Sequence, residues 1–291
     1  MKDLLSIATT EPAELSELVD LTLGMKTRAE SYGAALTGRS VGLFFMKPST
    51  RTRVSCEVGA HQLGAQAVVL RNDEVGLGER ESAADVARVL DRYLDLVALR
   101  VFDHADLVTM AEHADIPVVN LLSDLEHPCQ ALADVATIAE HKPVSDAVVA
   151  YVGDGNNVAH SLAAAVTALG GSMRVAAPEG YEPASQYSVG VTVTNDPAEA
   201  VAGADVVYTD VWTSMGQEQQ AGARLTDFNR FTVDEALFGH AADDAIFLHC
   251  LPAHRGQEVT DGVMDHPRSR VFDQAENRLH AFKAVLVHLL A

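Results

Sequence analysis

The 291-residue chain is poor in lysine and cysteine and has no long apolar run. Each shortage excludes something. No window of about 18 consecutive apolar residues occurs, so no membrane span is expected. The opening MKDLLSIATTEPAELSELVD sets acidic residues among its apolar ones and lacks the basic-then-apolar order of a secretory signal. Three cysteines, Cys56, Cys129 and Cys250, cannot complete a paired disulfide framework, and none sits in a CxxC pair. A reducing cytoplasm is the expected setting, and structural zinc is not expected. Positive charge is also scarce: 21 Lys and Arg stand against 41 Asp and Glu, a formal charge of −20. Such a chain has no net field to draw phosphate backbones, which argues against a general nucleic-acid binder. A few well-placed arginines would still serve a phosphorylated small substrate. Only five residues are lysine: Lys2, Lys26, Lys47, Lys142 and Lys283. Salt adaptation and compositional drift both account for so acidic a surface.

What is present is a globular composition, 48% hydrophobic and 21% charged. At about 100–200 residues per domain, the length fits two domains. Leu15, Leu18, Val19 and Leu23 recur at helical spacing in the first forty residues. The chain then alternates. Short strand-type runs lie at 41–45, 66–70, 96–101 and 118–122, separated by helical patterns at 50–63, 83–94 and 104–114. The inner face of 50–63 is expected to carry Val54, Val58 and Leu63; that of 83–94, Val86, Val89, Leu90 and Tyr93. A helix at about 128–141 joins this half to a second alternating set. Its strands fall at 147–152, 172–177, 189–194, 205–212 and 245–250, with a helix at 156–169 and a last one at 275–290. The expectation is an α/β protein of two similar domains, each a mostly parallel sheet flanked by helices, joined by interdomain helices. Ligands in such sheets sit beyond the carboxyl ends of the strands.

The unusual residues fall at those ends. After the first strand comes Met46-Lys47-Pro48-Ser49-Thr50-Arg51-Thr52-Arg53, and then a helix. The first N–H groups of a helix lack internal partners, and the helix dipole adds positive charge there. Ser49, Thr50 and Thr52 add hydroxyls, and Arg51 adds a planar fork that can hold a phosphate with two bonds. An ordinary N-cap is the bland reading, but a cap needs one Ser or Thr rather than three interleaved with arginines. Arg100 ends the strand LVALR, as a ligand group or as a snorkelling surface arginine. His127 and Gln130 stand at i and i+3 on the joining helix, so they project from one face. In the second half, Gly153-Asp154-Gly155-Asn156-Asn157-Val158 looks like a dinucleotide fingerprint but has Val158 at the third glycine position. A tight strand-to-helix turn explains part of it. Cys250 follows an apolar strand, where a cysteine is most often inert.

Taken in order, Phe45-to-Arg53, His127-Pro128-Cys129-Gln130, Gly153-to-Asn157, Asp210-Val211-Trp212-Thr213-Ser214-Met215-Gly216 and His249-Cys250-Leu251-Pro252 resemble the carbamoyltransferase family, most closely its ornithine branch. The resemblance implies a first domain over 1–130 that binds carbamoyl phosphate, with 276–291 packing back on it, and an ornithine-binding domain over 131–275. It implies that Ser49, Thr50, Arg51, Thr52, Arg100, His127, Gln130, Cys250, Leu251 and Arg278 contact carbamoyl phosphate. Arg100, His127 and Cys250 would be the catalytic members. Asn157, Asp210, Ser214 and Met215 would hold ornithine, and Gly216 would let their loop close over it. Asp210 would give a counter-charge to the α-ammonium. No metal and no organic cofactor is implied, and covalent catalysis by Cys250 is not expected. Leu251-Pro252 is a candidate cis bond. Homotrimers or assemblies of trimers are implied. One position departs from the family pattern: relatives carry Gln two residues before the glycine of the loop after the second strand, and Glu74 stands there in this chain.

The expected reaction is transfer of the carbamoyl group from carbamoyl phosphate to the δ-amine of ornithine, giving citrulline and phosphate for arginine biosynthesis. Positioning and charge stabilisation would do the work, with closure excluding water. A relative acting on another amine or an acylated ornithine is the main rival. A nicotinamide-dependent oxidoreductase, suggested by GDGNN, and a non-catalytic protein that kept the fold are remoter.

Overall fold

A computed structural model of the chain describes residues 1–213 and 218–291. Contacts divide it into two compact units: Met1–Ala136 with Glu276–Ala291, and Thr137–Ala275. In the first unit α1 (Pro12–Thr27) precedes β1 (Ser40–Phe45), α2 (Thr50–Gln62), β2 (Gln66–Arg71), the single turn α3 (Asn72–Val75), α4 (Ala83–Leu90), β3 (Leu96–Arg100), α5 (His104–His113), β4 (Val118–Leu122) and α6 (Pro128–Ala139). The second unit holds β5 (Val148–Val152), α7 (Asn157–Ala168), β6 (Ser172–Ala176), β7 (Val191–Thr194), α8 (Pro197–Val201), β8 (Val206–Thr209), α9 (Ala221–Asp227), α10 (Glu235–Phe238), β9 (Ile246–His249) and α11 (Asp261–Met264). The last helix, α12 (Val271–Leu290), runs through the second division point, as α6 runs through the first. Among the described residues no helix is long and apolar enough to cross a membrane.

The first sheet is four-stranded in the order β2-β1-β3-β4 and the second five-stranded in the order β7-β6-β5-β8-β9. Every strand pair described is parallel. Central parallel strands are covered on both faces, so they read as continuous apolar runs. β3, LVALR, is buried along its whole length, and the edge strand β2 is not. In each sheet the order reverses once, between β1 and β3 and between β5 and β8. Chain connections leave the two strands at such a point in opposite directions and open a crevice at their carboxyl ends. Phe45 at the end of β1 is in register with Arg100 at the end of β3. Tyr151 of β5 is likewise paired with Tyr208 of β8.

Three helix expectations need correction. Val54 and Val58 of α2 are exposed; the buried side is Thr52, Cys56, Gly59 and Ala60, together with Leu63 just after the helix. The reason is α12, whose Leu279, Phe282 and Lys283 side chains come so close at Gly59 that only small residues fit. In the second case α4 stops at Leu90, which removes Tyr93 from its face; Val89 and Tyr93 are exposed while Val86 and Ala87 are buried. Finally, α12 begins at Val271 rather than 275, because Val271 is buried in the core of the second unit.

Candidate active site

In the first unit the site is built from the top of β1. Ser49 is extended (φ −154°, ψ 108°) and caps α2, its hydroxyl oxygen accepting from the Thr52 N–H at 3.4 Å. Ser49 Oγ also donates to Thr52 Oγ1 at 3.0 Å. Arg278 of α12 donates from Nη2 to Thr52 Oγ1 at 2.9 Å and from Nη1 to Gln130 Oε1 at 2.8 Å. Gln130 Nε2 in turn donates to Asp134 Oδ1 at 2.6 Å. Thr52, Gln130, Asp134, Arg100, His127 and Arg278 are all buried. Thr50 is exposed, and Ser49 and Arg51 are half-buried. Burial first, then the positive charges of Arg278 and Arg100, holds the His127 imidazolium well below its ordinary range. The protonated ring is thus disfavoured where His127 sits. Ser49 and Thr50 also line a cavity of about 840 Å³, with Phe45, Met46, Arg53 and Arg71 among its other walls.

Glu74 is exposed and accepts from its own Arg71 N–H at 3.2 Å, closing the short turn α3. One of its carboxylate oxygens is thus engaged by local backbone. Cys56 and Cys129 are buried, and burial pushes both thiols up, Cys129 to about 12. Neither supplies a thiolate.

In the second unit the residues gather above β5, β8 and β9. Asp210 leaves β8 buried, and its carboxylate accepts from Asn156 Nδ2 at 3.0 Å and from Cys250 Sγ at 3.0 Å. Cys250 Sγ is placed as the donor in that contact. Asn156 caps α7, its amide oxygen accepting from Val158 N–H and Ala159 N–H. Asn157 is the first residue of that helix and is half-buried. The Leu251-Pro252 peptide is cis, as the turn reading expected, and Leu251 has φ 57°. Leu251 N–H donates to His249 Nδ1 at 2.9 Å, while His249 Nε2 faces Glu258 Oε1 at 3.3 Å. Of the Leu251 peptide groups, the carbonyl is thus the one left for a substrate. Asp210, His249 and Cys250 offer atoms within 4.8 Å of one another, a metal-like grouping. The His249 Nδ1 lone pair is already taken by the Leu251 N–H, and Nε2 carries the proton that faces Glu258. Ser214 and Met215, with Gly216, lie outside the described residues.

The structure thus joins Ser49, Thr52, Gln130 and Arg278 in one hydrogen-bonded chain, with His127 in the field of Arg100 and Arg278. It joins Asp210 to Cys250. It also adds residues that the sequence reading passed over. Asp134 had a signal, the i,i+4 spacing from Gln130. Asn156 had one too, since N-cap preference marks it beside Asn157. Arg224, which pairs with Asp154 at 2.8 Å, lies 70 residues away with no motif to link the two.

Two α/β units, one with a hydroxyl-rich helix start at Ser49–Thr52 and the other with the buried Asp210 carboxylate, fit a transferase of the carbamoyl-transfer type. The chain belongs to the aspartate/ornithine carbamoyltransferase family: residues 2–140 match the carbamoyl-P binding domain and residues 145–289 the Asp/Orn binding domain. Among the proteins it is similar to are ornithine carbamoyltransferases and, at 31% identity, an acetylornithine transcarbamylase. A catabolic ornithine carbamoyltransferase of Thermoplasma acidophilum is 47% identical over 100% of this chain and 99% of its own length. An anabolic one of Pyrococcus furiosus is 52% identical over 86% of this chain and 84% of its own. The solved structure of the Pyrococcus furiosus ornithine carbamoyltransferase matches with a TM-score of 0.95 at 47% identity, covering 99% of this chain and 97% of that one.

Proposed function

We propose that this chain transfers the carbamoyl group of carbamoyl phosphate to the δ-amine of L-ornithine, giving L-citrulline and phosphate. The observation that carries the reading is the hydrogen-bonded chain Ser49–Thr52–Arg278–Gln130 beside His127, whose protonation is disfavoured. Carbamoyl phosphate needs donors for its phosphate next to a donor for its carbonyl oxygen. Thr52 Oγ1 accepts two hydrogen bonds, so its own O–H is left to donate. With Ser49, Thr50, Arg51, Arg100, Arg278 and the N-terminal amides of α2 it would hold the phosphate. His127 would hydrogen-bond the carbonyl oxygen as the carbon becomes tetrahedral, with Gln130 on the carbamoyl amide.

Ornithine would sit in the second unit with its α-ammonium on Asp210. Asn157, Ser214 and Met215 would complete its hydrogen bonds, and Cys250 and Leu251 would meet the reacting groups. The δ-ammonium first loses a proton to solvent. The neutral amine then attacks the carbonyl carbon, the C–N bond forms, a second proton leaves the nitrogen, and the C–O bond to phosphate breaks. Positioning supplies most of the acceleration.

The direction proposed is toward citrulline, in arginine biosynthesis. The names of the relatives include both an anabolic and a catabolic enzyme, so the reverse reaction belongs in the same test. A cytoplasmic homotrimer, or an assembly of trimers, is the proposed form. Free buried cysteines support the compartment, and exposed Val54, Val58, Val89 and Tyr93 offer apolar surface for subunit contacts. Purified protein is to be assayed with carbamoyl phosphate and ornithine, acetylornithine, putrescine or aspartate, in both directions. Citrulline from ornithine alone is the expected result; no citrulline from ornithine rejects the reading.

A further inference from the structure

Arg224 of α9 is a buried guanidinium that the mechanism above does not use. Its Nη1 donates to Asp154 Oδ2 at 2.8 Å and to the Trp212 carbonyl at 2.7 Å, and its Nε to Gln220 Oε1 at 3.4 Å. Its charged carbon lies 4.9 Å from the Tyr181 ring centre and 5.9 Å from that of Phe228. Trp212 stacks on Phe228 in turn, with ring centres 5.7 Å apart. A planar fork inside an aromatic box has little freedom to reorient.

The two acceptors come from the two walls of the amino-acid pocket. Asp154 is in the turn after β5, two residues before Asn156. Trp212 is two residues past Asp210, where the chain leaves β8. Asn156 and Asp210 are themselves bonded at 3.0 Å. Arg224 therefore ties together the two segments that carry Asn156 and Asp210. Asp154 adds a second carboxylate near Asp210, and Arg224 is the cation set against it.

We propose that Arg224, seated on Asp154, is a positioning residue for the amino-acid substrate. It clamps the turn after β5 to the exit of β8 and so sets the Asp210–Asn156 pair for an α-ammonium group. The inference rests on the proposed function and deepens it. Arg224 touches neither substrate nor reacting atom in this account; it acts through Asp210. Its two contacts also distinguish shape from charge. Lysine would keep a positive charge for Asp154, but its single nitrogen cannot hold Asp154 and Trp212 while a second one, fixed in the same plane, holds Gln220.

The test compares Arg224→Met, Arg224→Lys and Asp154→Asn with the wild-type enzyme, with half-saturation measured for each substrate separately. Arg224→Met is expected to raise KM for ornithine at least about tenfold, with KM for carbamoyl phosphate within about twofold, and Arg224→Lys to fall between it and wild type. Asp154→Asn should move in the same direction as Arg224→Met, and Asp154→Glu should recover part of the loss. A structural role alone would lower the yield of folded enzyme and leave the two KM values of the survivors unchanged. Should Arg224→Met fail to fold, the isosteric Asp154→Asn carries the comparison. Unchanged KM for ornithine in the folded variants overturns the proposal while leaving the function standing. Absence of ornithine turnover in the wild type overturns the function, and this proposal with it.

Discussion

Thr52 shows how one hydroxyl can be both structure and site. It is buried, receives Arg278 and Ser49, and keeps one proton to give. Thr52→Val keeps the shape and leaves a guanidinium N–H and a hydroxyl without their acceptor, at a cost of about 1–3 kcal/mol. Steady-state kinetics should show kcat/KM for carbamoyl phosphate down roughly tenfold to a hundredfold, with ornithine saturation little changed. Asp154 gives a prediction in pH. Burial raises its carboxyl to about 6, with Asp210 adding repulsion, although Arg224 pulls the other way at 2.8 Å. For this group the cost of burial outweighs the pairing with Arg224. Tyr181, bonded to Asp227 at 2.8 Å, is a further ionisable group beside Asp154. With the folded value above the unfolded one, the native protein binds the extra proton between about pH 4 and 6, so this group's contribution falls as pH rises through that window and is level above it. A shift of about two units corresponds to roughly 3 kcal/mol. Urea titrations of wild type and Asp154→Asn from pH 4 to 8 should converge in shape above pH 6 and diverge below it; parallel curves throughout would contradict the assignment.

Glycine contacts separate two close approaches between elements. A Cβ on Gly155 would lie 2.2 Å from the Pro183 nitrogen and 2.4 Å from the Glu182 carbonyl carbon, both backbone atoms that cannot swing aside. Gly155→Ala should cost more than about 3 kcal/mol, beyond ordinary overpacking. A Cβ on Gly59 would meet Lys283 Cγ at 3.2 Å, on a flexible side chain, and Gly59→Ala should cost less than about 1 kcal/mol. Thermal melts of the two variants check the contrast. The same contacts explain what was legible in the sequence. Strands such as β1 and β3 were, because burial on both faces leaves an unbroken apolar run. The hydroxyl-rich start of α2 was legible because capping and anion binding use the same residue types. The inner face of α2 was not: its burial is set by the approach of α12 from the far end of the chain, which favours Gly59 and Ala60 over the valines that periodicity selects. The second glycine of GDGNN suggested a nucleotide turn, whereas its place is fixed by the 181–183 loop. Asp154 and Arg224 were invisible as a pair, since nothing local joins residues so far apart in the chain. Helices of four or five residues, such as α8, α10 and α11, are too short to show a period.

For the whole molecule, the charge of −20 and an anionic substrate pull against each other. Buried charged side chains include Arg100, Arg224, Arg278 and Lys283 on one side and Glu126, Asp134, Asp154, Asp210 and Glu258 on the other, so burial does not absorb the excess. Nearly all of it faces water. On the proposed function, the protein would repel carbamoyl phosphate at long range, and the hydroxyls and guanidinium groups around Ser49–Thr52 would attract it at short range. Salt acts unequally on the two. The screening length falls from about 10 Å at 0.1 M to about 3 Å at 1 M, which removes repulsion from distant surface carboxylates, while contacts with buried arginines are screened much less. Raising KCl from about 0.1 to 1 M should therefore raise both the urea midpoint and kcat/KM for carbamoyl phosphate, by relief of self-repulsion and of like-charge steering. An enzyme whose phosphate site sat in a net positive field would show the opposite slope for kcat/KM. Stopped-flow or initial-rate measurements at limiting carbamoyl phosphate across that range decide the sign, and a steady fall in kcat/KM with added salt would mean that attraction by the site governs capture even from a distance.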